Sequence, residues 1–143
     1  MRVTEIMSTD IQGCGPDTTL DEVARRMADQ DCGIIPVLDS GGRILGVITD
    51  RDIACRAVAS DLRPSNTQAR TCMTQPVVTL EPDASVEECS IAMRANGVRR
   101  LPIAEPDGTC LGMVSLGDIA KAWPVPAGQI LAHVHATGRA SLR

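Results

Sequence analysis

Shifted by 66 residues, this chain falls on itself: Met7 to Ala54 align without a gap onto Met73 to Ala120. The identities include Met7 with Met73, Pro16 with Pro82, Glu22 with Glu88, Met27 with Met93, Pro36 with Pro102, Gly46 with Gly112 and Asp52 with Asp118. Other positions hold conservative exchanges such as Leu20 with Val86, Ile35 with Leu101 and Thr49 with Ser115. A tandem duplication within 143 residues yields two units that are each too small to bury an adequate core alone, so an intertwined pair is expected.

Periodicity assigns the same elements to both copies. In TLDEVARRMADQ (19–30), Leu20, Val23, Ala24 and Met27 recur at helical spacing behind Thr18 or Thr19 as cap, with Glu22 in the first turn. GIIPVLD (33–39) and RILGVIT (43–49) are short apolar runs around an SGG turn, which predicts strand, turn, strand. A helix is then expected from near Asp50 to about Ser60. The second copy predicts a helix over 85–96, strands over 100–104 and 109–115, and a helix from about Leu116. A short turn is expected around Thr4 to Met7, and extended segments at Ile11 to Gly13 and Val77 to Thr79 are expected to add a third strand to each sheet. Polar SDLRPSNTQA (60–69), with Pro64, reads as a linker, whereas QILAHVHATG near the C-terminus can form one further short helix.

Composition removes several functional classes. A net charge of −4 opposes general binding to nucleic acid, which needs a basic surface, and the absence of Phe and Tyr removes the rings on which single strands stack. No apolar run approaches the roughly 20 residues of a membrane span, and MRVTEIMSTD is polar where a secretory signal would be apolar, so a soluble, cytoplasmic protein is expected. The six cysteines, at 14, 32, 55, 72, 89 and 110, form no CxxC pair and read as small hydrophobes, with no metal site expected. There is no GxSxG, GxxxxGK or HExxH motif, so no enzymatic activity is expected. His133 and His135 are two residues apart in the expected tail helix and would point to different sides of it.

The repeated stretch GVITDRDIA (46–54) and GMVSLGDIA (112–120) runs off a strand end into a helix. Thr49 or Ser115 there can bond a phosphate oxygen while the helix start favours negative charge, and Asp52 or Asp118, one turn on, can accept from the vicinal hydroxyls of a ribose. Thr or Ser followed three residues later by Asp is equally a plain helix cap. Arg51 stands within TDRDI where the second copy has Gly117, and Arg99 and Arg100 stand where the first has Gly33 and Ile34.

The succession of an Ile-Met or Cys-Met turn, PDTTLDEVARRM or PDASVEECSIAM, GIIPVLD or RRLPIAE, and GhhT/SxxDI (h, an apolar residue), in that order and twice, resembles a tandem pair of CBS domains, also called a Bateman module. The resemblance implies an α/β fold of two CBS repeats, each a short mixed three-stranded sheet with two helices, packed sheet to sheet. The corresponding boundaries are 1–62 and 70–123, with a linker at 63–69 and a tail at 124–143. It also implies a regulatory sensor of adenosyl ligands (AMP above all, or ADP, ATP, NAD or S-adenosylmethionine) that forms a homodimer and acts on an effector protein. By the same resemblance Asp52 and Asp118 would hold ribose, and Thr49 and Ser115 the phosphate side. Ile11, Ile35 and Val37 in the first copy, and Val77, Val78, Leu101 and Ile103 in the second, would sandwich adenine. Arg100, with Arg99 beside it, would reach phosphate in the second cleft, and Arg51 is the basic group offered to the first. The second cleft is therefore expected to be the better conventional nucleotide site. The alternative is a ligand-independent dimerisation module or a redox- or stress-responsive interaction module.

Overall fold

The computed structural model describes residues 1–122, so the expected tail helix and both histidines lie outside the described residues. The described residues divide into two compact units: Gln12–Val77 forms one, and Met1–Ile11 joins residues 78–122 to form the other. Each unit is therefore completed by the segment that precedes the other copy in the sequence. Boundaries drawn along the chain differ from this grouping. The stretch 63–69, expected as a linker, is built into the first of these units, where its 3-10 turn at Pro64–Asn66 packs on the first helix.

In the Gln12–Val77 unit, α1 (Leu20–Gln30) buries Leu20, Val23 and Met27, the spacing read from the sequence. A hairpin of β1 (Ile34–Leu38) and β2 (Ile44–Thr49) pairs antiparallel, with Ile34 opposite Thr49 and Ile35 opposite Ile48. Gly42 supplies the positive φ (82°) that the turn requires. The helix expected from Asp50 is three α-helical residues, α2 (Asp50–Asp52), followed by a π-helical segment (Ile53–Val58). That wider turn puts Ala57 in the core and lays Arg56 across the carbonyls of Cys72 and Met73. The short helix α3 (Ala69–Cys72) closes the core with two buried side chains, Ala69 and Cys72.

The other unit repeats the plan with a 3-10 turn at Val3–Glu5, α4 (Val86–Asn96), β3 (Arg100–Ala104), β4 (Cys110–Ser115) and α5 (Leu116–Ala122). Arg100 lies opposite Ser115 and Leu101 opposite Val114. The third strand expected in each sheet is reduced to a single parallel bridge, Cys14 to Val37 in one unit and Leu80 to Ile103 in the other. Each named sheet is accordingly two-stranded and antiparallel.

The contacts made by the leading segments obey the 66-residue offset even before Met7, where sequence identity fades. Thr67 O accepts from Leu20 N at 2.9 Å, and Met1 O accepts from Val86 N at 2.9 Å. Ala69 N donates to Thr18 O at 2.8 Å, and Val3 N donates to Ala84 O at 2.9 Å. Further along, Thr74 forms a two-way bridge with Val47, and Ser8 forms its counterpart with Met113.

These crossings explain the glycine that begins each repeated motif. A Cβ at Gly46 would lie 2.8 Å from Met73 Sδ and 3.0 Å from Thr74 O; at Gly112 it would lie 2.8 Å from Met7 Sδ and 2.6 Å from Ser8 O. The close approach at these glycines is thus made by the protein's own backbone and methionine.

Candidate functional site

Thr49 and Ser115 are the last residues of β2 and β4, and each joins the aspartate three residues on in a reciprocal cap. Thr49 N donates to Asp52 Oδ2 at 2.9 Å, and Asp52 N donates to Thr49 Oγ1 at 3.0 Å. In the other unit Ser115 N donates to Asp118 Oδ2 at 2.8 Å, and Asp118 N donates to Ser115 Oγ at 3.1 Å. The capping chemistry written in the sequence is therefore present in both copies. It uses one carboxylate oxygen of each aspartate and leaves the other to be accounted for.

Those remaining oxygens have different surroundings. Asp52 is 8% exposed, and its Oδ1 accepts from Thr74 Oγ1 at 2.9 Å with Arg56 Nε at 3.8 Å. Asp118 is half-buried, and its Oδ1 has no hydrogen-bond partner among the described residues, because Ser115 Oγ adds its bond, at 2.8 Å, to Oδ2. Thr74 and Arg56 correspond under the repeat to Ser8 and Ala122, so the difference is encoded at two positions that the motif itself does not contain. Neither was among the expected site residues; comparing the two copies beyond the motif is the signal that finds them.

The hairpin end of the second copy gathers most of its expected polar groups. Arg100 is the direct cross-strand neighbour of Ser115, and the carbonyl of Arg99 accepts from Leu116 N at 2.8 Å. Both arginines are half-buried, and the Arg100 side chain makes no hydrogen bond or ion pair among the described residues. The equivalent end of the first copy pairs Ile34 with Thr49; the basic residue expected there, Arg51, is an exposed side chain on α2.

The apolar residues expected around adenine divide into two sets. Ile35, Val37, Leu101 and Ile103 are at most 1% exposed and sit inside the two hydrophobic cores, so they present no side-chain surface to a base here. Strand alternation turns these residues onto the helices. Val78 is 42% exposed, while Ile11 and Val77 are partly exposed. Val78 precedes by two residues the parallel bridge of Leu80 with Ile103, which carries its segment alongside β3. A cavity of about 310 Å³ lies elsewhere, at the start of α4, lined by Met1, Ser85, Val86, Glu87 and Ala122; it includes none of the expected residues.

Among the described residues no group of three His, Cys, Asp or Glu is arranged to hold a metal ion, and no helix is long and apolar enough to cross a membrane. All six cysteines are free thiols. Burial pushes Cys14 up to about 11 and, with the charge of Asp118 adding to it, Cys89 up to about 12; burial also raises Cys72 and Cys110.

Known proteins share this arrangement. CBS domain-containing protein YhcV of Bacillus subtilis is 36% identical over 118 residues, covering 82% of each chain. The uncharacterized protein MK0525 of Methanopyrus kandleri is 33% identical over 122 residues, 85% of this chain but only 62% of its own length. Among solved structures, Hypoxic Response Protein I with two coordinated zinc ions superposes with a TM-score of 0.79 at 28% identity, over 87% of this chain and all of that one. The CBS domain pair of MJ0100, in complex with 5-methylthioadenosine and S-adenosyl-L-methionine, gives 0.76 at 23% identity over 87% and 96%. CBSX2 in complex with AMP gives 0.75 at 20% identity over 91% and 98%. The CBS domain model matches residues 3–57 and again 69–124. Repeat, fold and match agree, and the chain belongs to the CBS domain family, with two copies in tandem.

Proposed function

We propose that this protein is a regulatory module that binds an adenosyl ligand, AMP in the first instance, at the hairpin end carrying Arg99, Arg100, Ser115 and Asp118. The observation that carries the reading is the half-buried Asp118 carboxylate, one oxygen of which has no partner among the described residues. A carboxylate held rigid through one oxygen and open at the other is suited to vicinal ribose hydroxyls, because its orientation is set before the ligand arrives. The two arginines supply planar donors for phosphate, and exposed Val78 supplies apolar surface for a base. In MJ0100 and CBSX2 the same fold accompanies adenosyl ligands, which supports the ligand class.

The ligand acts in this proposal by binding one arrangement of a homodimer better than another, which a partner protein then reads. The redox-responsive alternative has less physical support, since four of the six thiols are buried and held protonated at neutral pH. Thermal unfolding with AMP, ADP, ATP, NAD and S-adenosylmethionine tests the proposal. A true ligand stabilises by about 2.7 kcal/mol at a hundredfold excess over its Kd, and Asp118→Ala should abolish the shift. A wild-type midpoint unmoved by all five would favour the ligand-independent module.

A further inference from the structure

We infer that Asp52 anchors the Cys72–Thr74 segment, and that adenosyl binding is confined to the unit carrying Asp118, one ligand per chain. The confinement rests on the function proposed above; the anchor stands on geometry alone.

At the level of motif the two copies are alike, since each has its hydroxyl residue, its aspartate and the same reciprocal cap. Only Asp52 has its second oxygen engaged. Thr74 Oγ1 donates to Oδ1 at 2.9 Å, and Arg56 Nε stands 3.8 Å from the same atom. Arg56 also donates from Nη1 to the carbonyls of Met73 at 2.8 Å and Cys72 at 3.3 Å. One side chain of the π-helical segment thus holds the carbonyls of residues 72 and 73 while Asp52 holds the hydroxyl of residue 74. The backbone of Thr74 is tied in turn to Val47, at 2.7 and 3.0 Å.

A ribose hydroxyl seeking Asp52 Oδ1 would have to displace Thr74 and compete with a guanidinium at a carboxylate only 8% exposed. Exchanging a buried, charge-assisted hydrogen bond for another of the same kind brings little net gain, and the released hydroxyl then lacks its acceptor. In the other unit Ser8 repeats the backbone ladder with Met113, but its hydroxyl makes no bond to Asp118 and Ala122 has no donor to offer. The same aspartate is therefore a structural anchor in one copy and an available acceptor in the other.

Two measurements on the full chain test this. In thermal unfolding, Thr74→Val should lower the midpoint in the wild-type background and lower it no further once Asp52→Ala is present. Ser8→Ala and Asp118→Ala should show no such coupling. Additive shifts at 52 and 74 would overturn the anchor; if Asp52→Ala does not fold, Thr74→Val against Arg56→Gln supplies the same cycle about the shared carboxylate. In calorimetric titration with AMP, ATP and S-adenosylmethionine, binding should saturate at one equivalent per chain in the wild type. Two equivalents would overturn the confinement. Absence of binding with coupled midpoints would reject the proposed ligand function and the confinement while supporting the anchor.

Discussion

Five of the six cysteines occupy positions where the other copy has an aliphatic residue: Cys14 matches Leu80, Cys32 Val98, Cys72 Ile6, Cys89 Val23 and Cys110 Ile44. They serve as small hydrophobes, which is how their lack of close pairing reads in the sequence. Cys55 matches Lys121 instead, and it is exposed. Alkylation with iodoacetamide at pH 8, followed by mass spectrometry, should modify Cys55 first and half-buried Cys32 more slowly, and should reach the other four only after denaturation. Rapid modification of Cys14 or Cys89 in the folded protein would contradict the burial described. The glycines opening each motif give a second expectation. Gly112→Ala should cost about 1–3 kcal/mol in urea unfolding, because its new methyl meets a backbone oxygen at 2.6 Å. Gly46→Ala should cost less, since its nearest contact is the flexible end of Met73.

At the level of elements, the helices and hairpins were legible because each has its own period and each turn its own residue chemistry. The terminations also follow rules, with one informative difference between the copies. Gly97 ends α4 in the left-handed conformation at φ 62°, and its repeat partner Asp31 ends α1 in the same conformation at φ 50°. Asp31→Gly should therefore stabilise the protein by about 1 kcal/mol, and Gly97→Ala should destabilise it by a similar amount, as read by urea midpoints. Helix starts were less legible. Ser85 and Glu88, the repeat partners of Thr19 and Glu22, form a reciprocal cap, whereas Thr19 does not cap α1. A hydrogen bond from Thr19, with Arg25 further contributing, holds Asp21 below the ordinary carboxylate range, and Glu22 turns to Arg25 and Arg26. The π-helical segment at Ile53–Val58 was not legible at all, because nothing local distinguishes it from α-helix; its consequence lies in the carbonyls of Cys72 and Met73, sixteen or more residues away. The candidate site divides likewise. The motif makes the strand-to-helix junction readable, but what each carboxylate then holds depends on residues 56 and 74, which only the folded chain brings to Asp52.

For the whole molecule, duplication set the plan, and the exchange of leading segments was the part that pairwise alignment left hidden. Alignment reports which residues correspond; it says nothing of which hairpin a segment completes. The thiols bear on the stability of the entire chain. Where burial makes a thiol harder to ionise in the folded chain, the unfolded chain loses its proton first, so stability is intact below the ordinary thiol value of 9.0 and falls as pH rises toward about 11 for Cys14 and about 12 for Cys89. Each such group costs up to about 1.4 kcal/mol per pH unit in that window. The urea midpoint should hold from pH 7 to about 9 and then drop steeply, and Cys89→Val should soften the drop; a flat profile to pH 11 would contradict the assignment. The central claim concerns the two aspartates, and a crystal structure grown with AMP, from protein purified without added nucleotide, tests it most directly. Ribose hydroxyls should lie within hydrogen-bond distance of Asp118 Oδ1 while Asp52 keeps Thr74. Ribose seated on Asp52, or a nucleotide bound away from Asp118, would contradict it.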